Sequence, residues 1–108
     1  MRDEGVRISR SQLPLPRAYV APRDHVEAAL AEIWCAALSM DCVGVEDELT
    51  DLGGDSFEAE LISMSIEEKF GLHIALSKLM NTPIAALAAE LVRRQAEQER
   101  AAAASSRS

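Results

Sequence analysis

Residues 51–57 of the chain are Asp51-Leu52-Gly53-Gly54-Asp55-Ser56-Phe57, and the rest of the sequence is organised around this stretch. Its two glycines permit a tight turn with positive φ. Asp55 is a favourable N-cap and Glu58 stands three residues later, so the pair predicts a capping box at the start of a helix. Ser56 then occupies the first helical position, at the positive end of the helix dipole, where an attached phosphate is favoured.

An ordinary glycine-containing loop before a capped helix explains this stretch equally well when it is considered alone. As an enzymatic nucleophile, Ser56 needs a base and an orienting group, and no motif ties His25 or His73 to it. The stretch matches neither a G-x-S-x-G elbow, nor a P-loop, nor a dinucleotide fingerprint. We therefore predict that the chain is not an enzyme and that Ser56 is the substrate of another protein's chemistry.

Charge is distributed unevenly along the 108 residues. Residues 1–23 hold five Arg and two acidic residues (net +3), residues 24–92 hold 14 acidic residues and two Lys (net −12), and residues 93–108 hold four Arg and two Glu (net +2). The acidic middle argues against nucleic acid and membrane surfaces as partners, because both require basic patches. It favours partners with basic surfaces, although solubility explains such a charge equally well.

The domain organisation predicted from composition has three parts: a flexible leader at 1–23, a folded domain at 24–92, and a helix end with a disordered tail at 93–108. The leader is rich in Arg and interrupted by Pro14 and Pro16, which predicts a disordered or loosely docked segment. A domain of this size has little room to enclose a substrate pocket, and we expect a monomer. The chain has neither a long apolar run nor a secretory h-region, which predicts a cytoplasmic protein.

Helical periodicity dominates the folded domain and predicts an all-α bundle of three main helices plus one short helix. The first helix spans 24–39. Asp24 caps it, Glu27 completes a capping box, and Trp34 lies within the apolar stripe as a core anchor.

The later helices carry their own start and stop signals. The second helix spans 56–70 and ends at Gly71, which is favourable just after a helix. A short turn of helix at 77–81 is capped by Ser77. The last helix begins with Thr82 as cap and Pro83 at the first position.

Residues 40–55 form an acidic loop that four apolar side chains are expected to hold against the helices. These side chains are Val43, Val45, Leu49 and Leu52. The loop carboxylates do not match the spacing of a calcium-binding loop, and neither histidine has a partner at metal-ligand spacing. We therefore predict no metal site.

The second helix has a broader apolar face than one amphipathic helix needs, so it is either clasped between two helices or partly left for a partner. One stripe consists of Phe57, Leu61 and Met64, and a neighbouring stripe consists of Ala59, Ile62, Ile66 and Phe70.

At Leu52-Gly53-Gly54-Asp55-Ser56 the sequence resembles the signature of phosphopantetheine-dependent carrier proteins, the peptidyl and acyl carriers of nonribosomal peptide, polyketide and fatty-acid assembly. The resemblance covers about 19–92. Outside the motif it rests on Ala21-Pro22-Arg23, Glu32-Ile33-Trp34, Phe70-Gly71-Leu72-His73-Ile74 and Thr82-Pro83-Ile84-Ala85-Ala86-Leu87-Ala88.

The resemblance implies that Ser56 receives 4′-phosphopantetheine from coenzyme A through a magnesium-dependent transferase. The terminal thiol of this arm then holds an acyl or aminoacyl group as a thioester. Asp55 caps the helix and helps to meet the transferase and its metal, while Gly53 and Gly54 leave the hydroxyl accessible. Phe57 departs from the leucine usual in the family, which leaves attachment intact and bears on the choice of partner.

The partners implied by the resemblance are the phosphopantetheinyl transferase, an adenylating or acyl-loading enzyme, and downstream synthetase enzymes. Glu58, Glu60 and Glu67 make the second helix acidic, as in discrete acyl carriers whose second helix meets basic enzyme surfaces. The form of the motif favours a peptidyl or aminoacyl cargo. A discrete acyl carrier for a fatty acid or polyketide stays open, as does an acidic helical interaction module without a prosthetic group. The Ser/Ala tail suggests a free-standing carrier, and an excised domain of a larger synthetase has the same appearance.

Overall fold

A computed structural model describes residues 8–106, with side chains up to residue 103. The outer ends of the predicted leader and tail, residues 1–7 and 107–108, lie outside the described residues. The predicted all-α bundle is confirmed. Its elements are a 3₁₀ turn at Arg10–Gln12 and helices α1 (His25–Leu38), α2 (Ser56–Phe70), α3 (Leu76–Asn81) and α4 (Ile84–Ser106).

The core lies where α1 packs against both α2 and α4, and where α2 packs against α3. Trp34 is fully buried, which confirms it as a core anchor. Its indole N–H donates no hydrogen bond within the described residues, so Trp34 contributes through packing. The four apolar residues of the 40–55 loop that the sequence places in the core, Val43, Val45, Leu49 and Leu52, are all buried.

The start of α1 confirms the predicted cap but not the capping box. Asp24 accepts a hydrogen bond from the Glu27 amide at 2.9 Å. The Glu27 carboxylate, however, binds the preceding Arg23, whose backbone N donates to Oε1 at 2.9 Å. The predicted capping box at Glu27 is therefore wrong, because Arg23 offers this carboxylate a charged partner.

The cap predicted for α3 is also wrong. Ala75 is its N-cap, and Ser77 lies inside the helix, where its carbonyl accepts from Asn81 Nδ2 at 2.9 Å. Thr82 terminates α3 instead of capping α4. The Pro83 carbonyl accepts from the amides of Ala86 and Leu87 at 3.1 Å, so α4 begins one residue later than predicted.

Helix α4 continues to Ser106, well past the end of its apolar stripe. The division of the chain into leader, domain and tail stays a prediction. Among the described residues, no helix is long and apolar enough to cross a membrane. The same residues contain no group of three or more His, Cys, Asp or Glu side chains that could hold a metal ion.

Residues 8–23 lie along the 40–55 loop. Ile8 forms a parallel bridge with Met40, and its amide donates to the Ser39 carbonyl at 2.8 Å. Further along, the Val45 amide donates to the Val20 carbonyl at 2.9 Å. The part of the leader that the structure describes is thus held by specific backbone contacts.

Candidate functional site

A closed turn, residues 48–54, immediately precedes α2. The Leu52 amide donates to the Glu48 carbonyl at 3.2 Å, and the Gly54 amide donates to the Leu49 carbonyl at 2.9 Å. Leu49 and Leu52 are buried in the core. The buried side chains of Leu49 and Leu52 therefore hold the turn against the core, and this fixes the direction in which the chain enters α2.

The two glycines of this turn serve different purposes. Gly53 has φ +84° and open space around it, so it supplies a left-handed conformation that other residues adopt reluctantly. At Gly54 a Cβ atom would lie 2.6 Å from Leu49 Cγ. Gly54 is therefore required because the backbone approaches the buried Leu49 closely, a role that the sequence motif alone does not distinguish from that of Gly53.

Asp55 caps α2 and forms the predicted capping box with Glu58. Its Oδ1 accepts from the amides of Phe57 at 3.0 Å and Glu58 at 3.2 Å, and Glu58 Oε1 accepts from the Asp55 amide at 2.9 Å. Hydrogen bonding with the Glu58 side chain, and then with these amides, lowers the pKa of the Asp55 carboxyl below its ordinary value. The start of α2 is thus fixed by local contacts.

Ser56 is the first residue of α2 and is exposed to solvent. Its hydroxyl makes no hydrogen bond with the described residues, so none of them activates it as a base. His73 pairs through Nδ1 with Glu67 Oε2 at 2.6 Å, and His25 begins another helix. Asp55 already occupies two amides of the first turn, which leaves less of the helix N-terminus for an anion. A phosphoryl group here would be held mainly by its covalent bond.

An exposed apolar stripe begins beside Ser56 and follows α2. Phe57 is 65% exposed, Leu61 38% and Met64 64%, whereas Ala59 and Ile62 on the neighbouring stripe are fully buried. Of the two alternatives for this broad face, the structure selects the one in which part of it is left free. Phe57 is mostly exposed and does not belong to the buried core. Its side chain belongs to the exposed surface next to the hydroxyl.

The three glutamates predicted to bind partners differ in their availability. Glu58 is engaged in the capping box, and Glu67 pairs with His73. Glu60 is exposed, and none of the described residues donates to its carboxylate. The structure thus leaves Glu60 as the most available carboxylate of the three.

Two arginines near the site were missed by sequence reasoning. Arg10 pairs with the buried Asp47, and Arg17 pairs with Asp51 in the turn before α2. Ion pairs between residues more than 30 positions apart produce no periodic pattern in the sequence. The opposite net charges of residues 1–23 and the acidic loop were the one sequence feature that pointed to such pairs.

A family model described as "Phosphopantetheine attachment site" matches residues 28–91. Over 100 residues the chain is 31% identical to tyrocidine synthase 3 of Brevibacillus parabrevis, a match that covers 86% of this chain and 2% of that protein. Over 90 residues it is 37% identical to gramicidin S synthase 2 of Brevibacillus brevis, covering 76% and 2% respectively. The chain therefore spans only a small part of the curated relatives it matches.

Two solved structures resemble the fold closely. One is a peptidyl carrier protein in complex with the phosphopantetheine transferase Sfp and coenzyme A, with a TM-score of 0.66, 29% identity, and coverage of 69% of this chain and 99% of that chain. The other is the solution structure of an active-site mutant peptidyl carrier protein, with a TM-score of 0.67, 29% identity, and coverage of 73% and 89%.

Proposed function

The chain belongs to the phosphopantetheine attachment family of carrier domains, and from this premise we propose that Ser56 is the residue that receives the 4′-phosphopantetheine arm of coenzyme A. The family match confirms the carrier function and the covalent cofactor expected from the sequence. The assignment to Ser56 is supported by one observation above all. The Ser56 hydroxyl is exposed, has no hydrogen-bond partner among the described residues, and lies at the N-terminus of α2, which Asp55 and Glu58 hold in place.

The attachment step is a phosphoryl-group transfer. Ser56 Oγ forms a new bond to the phosphorus that carries the pantetheine group, the bond from that phosphorus to the bridging oxygen breaks, and adenosine 3′,5′-bisphosphate leaves. The hydroxyl proton passes to a base supplied by the transferase, because no described residue of this chain accepts a hydrogen bond from the Ser56 hydroxyl. Once attached, the group supplies a terminal thiol that carries cargo as a thioester.

The chain's own residues present the hydroxyl. Gly53 and Gly54 shape the turn, Asp55 holds the first turn of α2 and faces the transferase and its metal ion, and Phe57 begins the apolar stripe on which an enzyme can dock. In this proposal the chain is not an enzyme, and all bond-making is done by partners. A transferase of the Sfp type is supported as a partner by the similar complex.

Peptide synthesis is the pathway class that the relatives support. The similar proteins are synthases of tyrocidine and gramicidin S, so we assign an aminoacyl or peptidyl cargo. An adenylating enzyme then loads the carrier, and downstream synthetase enzymes take the cargo from it. Weak, exchangeable docking suits this role, because a tethered cargo has a high effective concentration at each partner.

Intact-mass measurement tests the assignment of Ser56. After incubation with coenzyme A, Mg²⁺ and a broad-specificity transferase, we expect the full chain to gain the mass of one phosphopantetheinyl group. Ser56→Ala should gain nothing. Ser77→Ala, a matched change at an exposed serine of α3, should gain as much as the wild type. No gain by the wild type would favour an interaction module without a prosthetic group, and an equal gain by Ser56→Ala would reject the site.

Charge reversal on α2 tests the partner-binding residues. Glu60→Lys should slow the modification several-fold at low ionic strength, and salt should erase the difference because exposed charges are screened. Glu67→Lys should act less strongly, since Glu67 already pairs with His73. Glu99→Lys, the same charge change on the distant part of α4, is the control. Equal rates for Glu60→Lys and the control would make Glu60 a merely solvated residue.

A further inference from the structure

The N-terminal strap, residues 8–20, contacts the loop that leads to Ser56 at both of its ends. At one end the Asp41 amide donates to the Ile8 carbonyl at 2.9 Å, and at the other the Val45 amide donates to the Val20 carbonyl at 2.9 Å. Gly44 of the loop is buried against the strap, where a Cβ atom would be 3.2 Å from Val20 N. Strap and loop therefore approach closely at this point, and a side chain here would force one of them to shift.

An ion pair binds the first part of the strap to the loop. Arg10 Nε donates to Asp47 Oδ2 at 2.6 Å, and Arg10 Nη2 donates to Oδ1 at 2.7 Å. The Asp47 side chain is 1% exposed and that of Arg10 is 12% exposed. Asp47 Oδ2 also accepts from the Gly44 amide at 2.9 Å. A two-pronged, desolvated pair of this kind is strong and direction-specific, and removing one partner leaves a buried charge.

The guanidinium of Arg10 also organises the strap itself. Nη2 donates to the Arg17 carbonyl at 3.0 Å, and the group lies 5.4 Å from the centre of the Tyr19 ring, which is a cation–π distance. The backbone amide of Arg10 donates to Asp41 Oδ1 at 3.0 Å. One residue therefore joins both halves of the strap to the loop.

Asp47 is directly followed by the turn that presents the hydroxyl. The Glu48 carbonyl accepts the Leu52 amide, and the turn closes at Gly54, two residues before Ser56. Arg17, farther along the strap, reaches the same turn through Asp51. Arg10 is thus connected to the turn before Ser56 through Asp47 and the adjoining hydrogen-bonded backbone.

We propose that the strap is part of the attachment site: Arg10, acting through Asp47, is a positioning residue for the turn that presents Ser56. This inference rests on the proposed function of Ser56. It adds the strap, which precedes both α1 and the family match at 28–91, to the functional carrier. When the pair is broken, the helices persist but the turn samples other conformations. The transferase then meets a smaller competent population, which raises KM for the carrier and leaves kcat unchanged.

The test uses the full chain with Arg10→Gln. Kinetics of Ser56 modification should show KM for the carrier raised about tenfold with kcat within about twofold of wild type. Amide hydrogen exchange should accelerate at Leu52 and Gly54 and stay unchanged in the middle of α1 and α4. The exchange measurement reports the turn directly and needs no transferase.

Arg23→Gln is the matched control. Arg23 also forms a two-pronged pair with a buried carboxylate, that of Glu27, through Nε at 3.1 Å and Nη2 at 2.7 Å. It lies at the start of α1, away from the turn, so KM and the exchange of Leu52 and Gly54 should match wild type. An equal rise of KM in both variants would reduce the effect to general destabilisation and overturn the proposal, as would an unchanged KM in Arg10→Gln.

A milder variant keeps the test decisive if Arg10→Gln loses its helical circular dichroism. Arg10→Lys keeps a positive charge against Asp47 but loses the two-pronged contact, and KM should rise about threefold with faster exchange at Leu52. Wild-type exchange kinetics in this variant would overturn the positioning role. Absence of Ser56 modification in the wild type would instead reject the proposed function, and the exchange data would still decide the role of Arg10.

Discussion

The starts of α1 and α2 share one local sequence pattern, an Asp followed three residues later by a Glu, and differ in what the Glu does. At α2, Glu58 returns to the amide of its cap, Asp55. At α1, Glu27 instead accepts three hydrogen bonds from Arg23 and is 5% exposed.

The residue before the cap accounts for this difference. Gly54 has no side chain to compete for Glu58, whereas Arg23 carries a guanidinium that reaches Glu27. The Glu27 side chain is also buried, and its removal from water strengthens the charged pair. The same pattern therefore gives two different helix starts. At α1, Glu27 binds the residue that precedes the cap. At α2, Asp55 and Glu58 bind each other and leave the Ser56 hydroxyl free.

Alanine at the two glutamates gives the largest expected contrast. Glu27→Ala removes three acceptor contacts made at a buried carboxylate, so the free energy of unfolding should fall by about 2 kcal/mol. Glu58→Ala removes one contact at a partly exposed position and should reduce it by about 0.5–1 kcal/mol. Urea unfolding followed by circular dichroism measures both. Equal losses would show that the two helix starts are held alike.

Alanine at the two caps gives a smaller contrast in stability and a clear one in function. Asp24→Ala and Asp55→Ala should each lower the melting temperature by about 5 °C, with the greater loss at Asp55 because it accepts two amides. Only Asp55→Ala should slow attachment at Ser56, as judged by intact mass over time. A comparable slowing by Asp24→Ala would mean that modification follows overall stability.

Acidification should produce the smallest effect. The hydrogen bond from the Arg23 side chain lowers the pKa of Glu27 below its ordinary value. A carboxyl whose pKa is lower in the folded than in the unfolded chain stabilises the fold above the unfolded value, and this contribution is lost as pH falls through the folded value. The melting temperature should therefore decline below about pH 4.3, and Glu27→Gln should decline less steeply. A variant with the wild-type slope would contradict the assignment.

The accuracy of the sequence predictions follows the range of the interactions involved. The limits of α2, its capping box and the terminating Gly71 are all as predicted, because each depends on residues within four positions of one another. The error at Glu27 arose because Arg23 competes for its carboxylate. The error at Ser77 arose because α3 begins at Leu76, which places Ser77 inside the helix. The pattern of α2 showed an excess of apolar residues, but only the packing of α1 and α3 against it decided that Phe57 would face solvent.

The sequence by itself determined that a serine stands at the first position of a capped, glycine-preceded helix inside a small acidic bundle. Those features follow from backbone conformational preferences and side-chain periodicity, which act over a few residues. The tertiary structure alone decided which glutamate near Ser56 stays available, which apolar side chains stay exposed, and that Arg10 is joined to Asp47. These outcomes depend on desolvation and on contacts between residues as far as 37 positions apart, for which no local pattern exists.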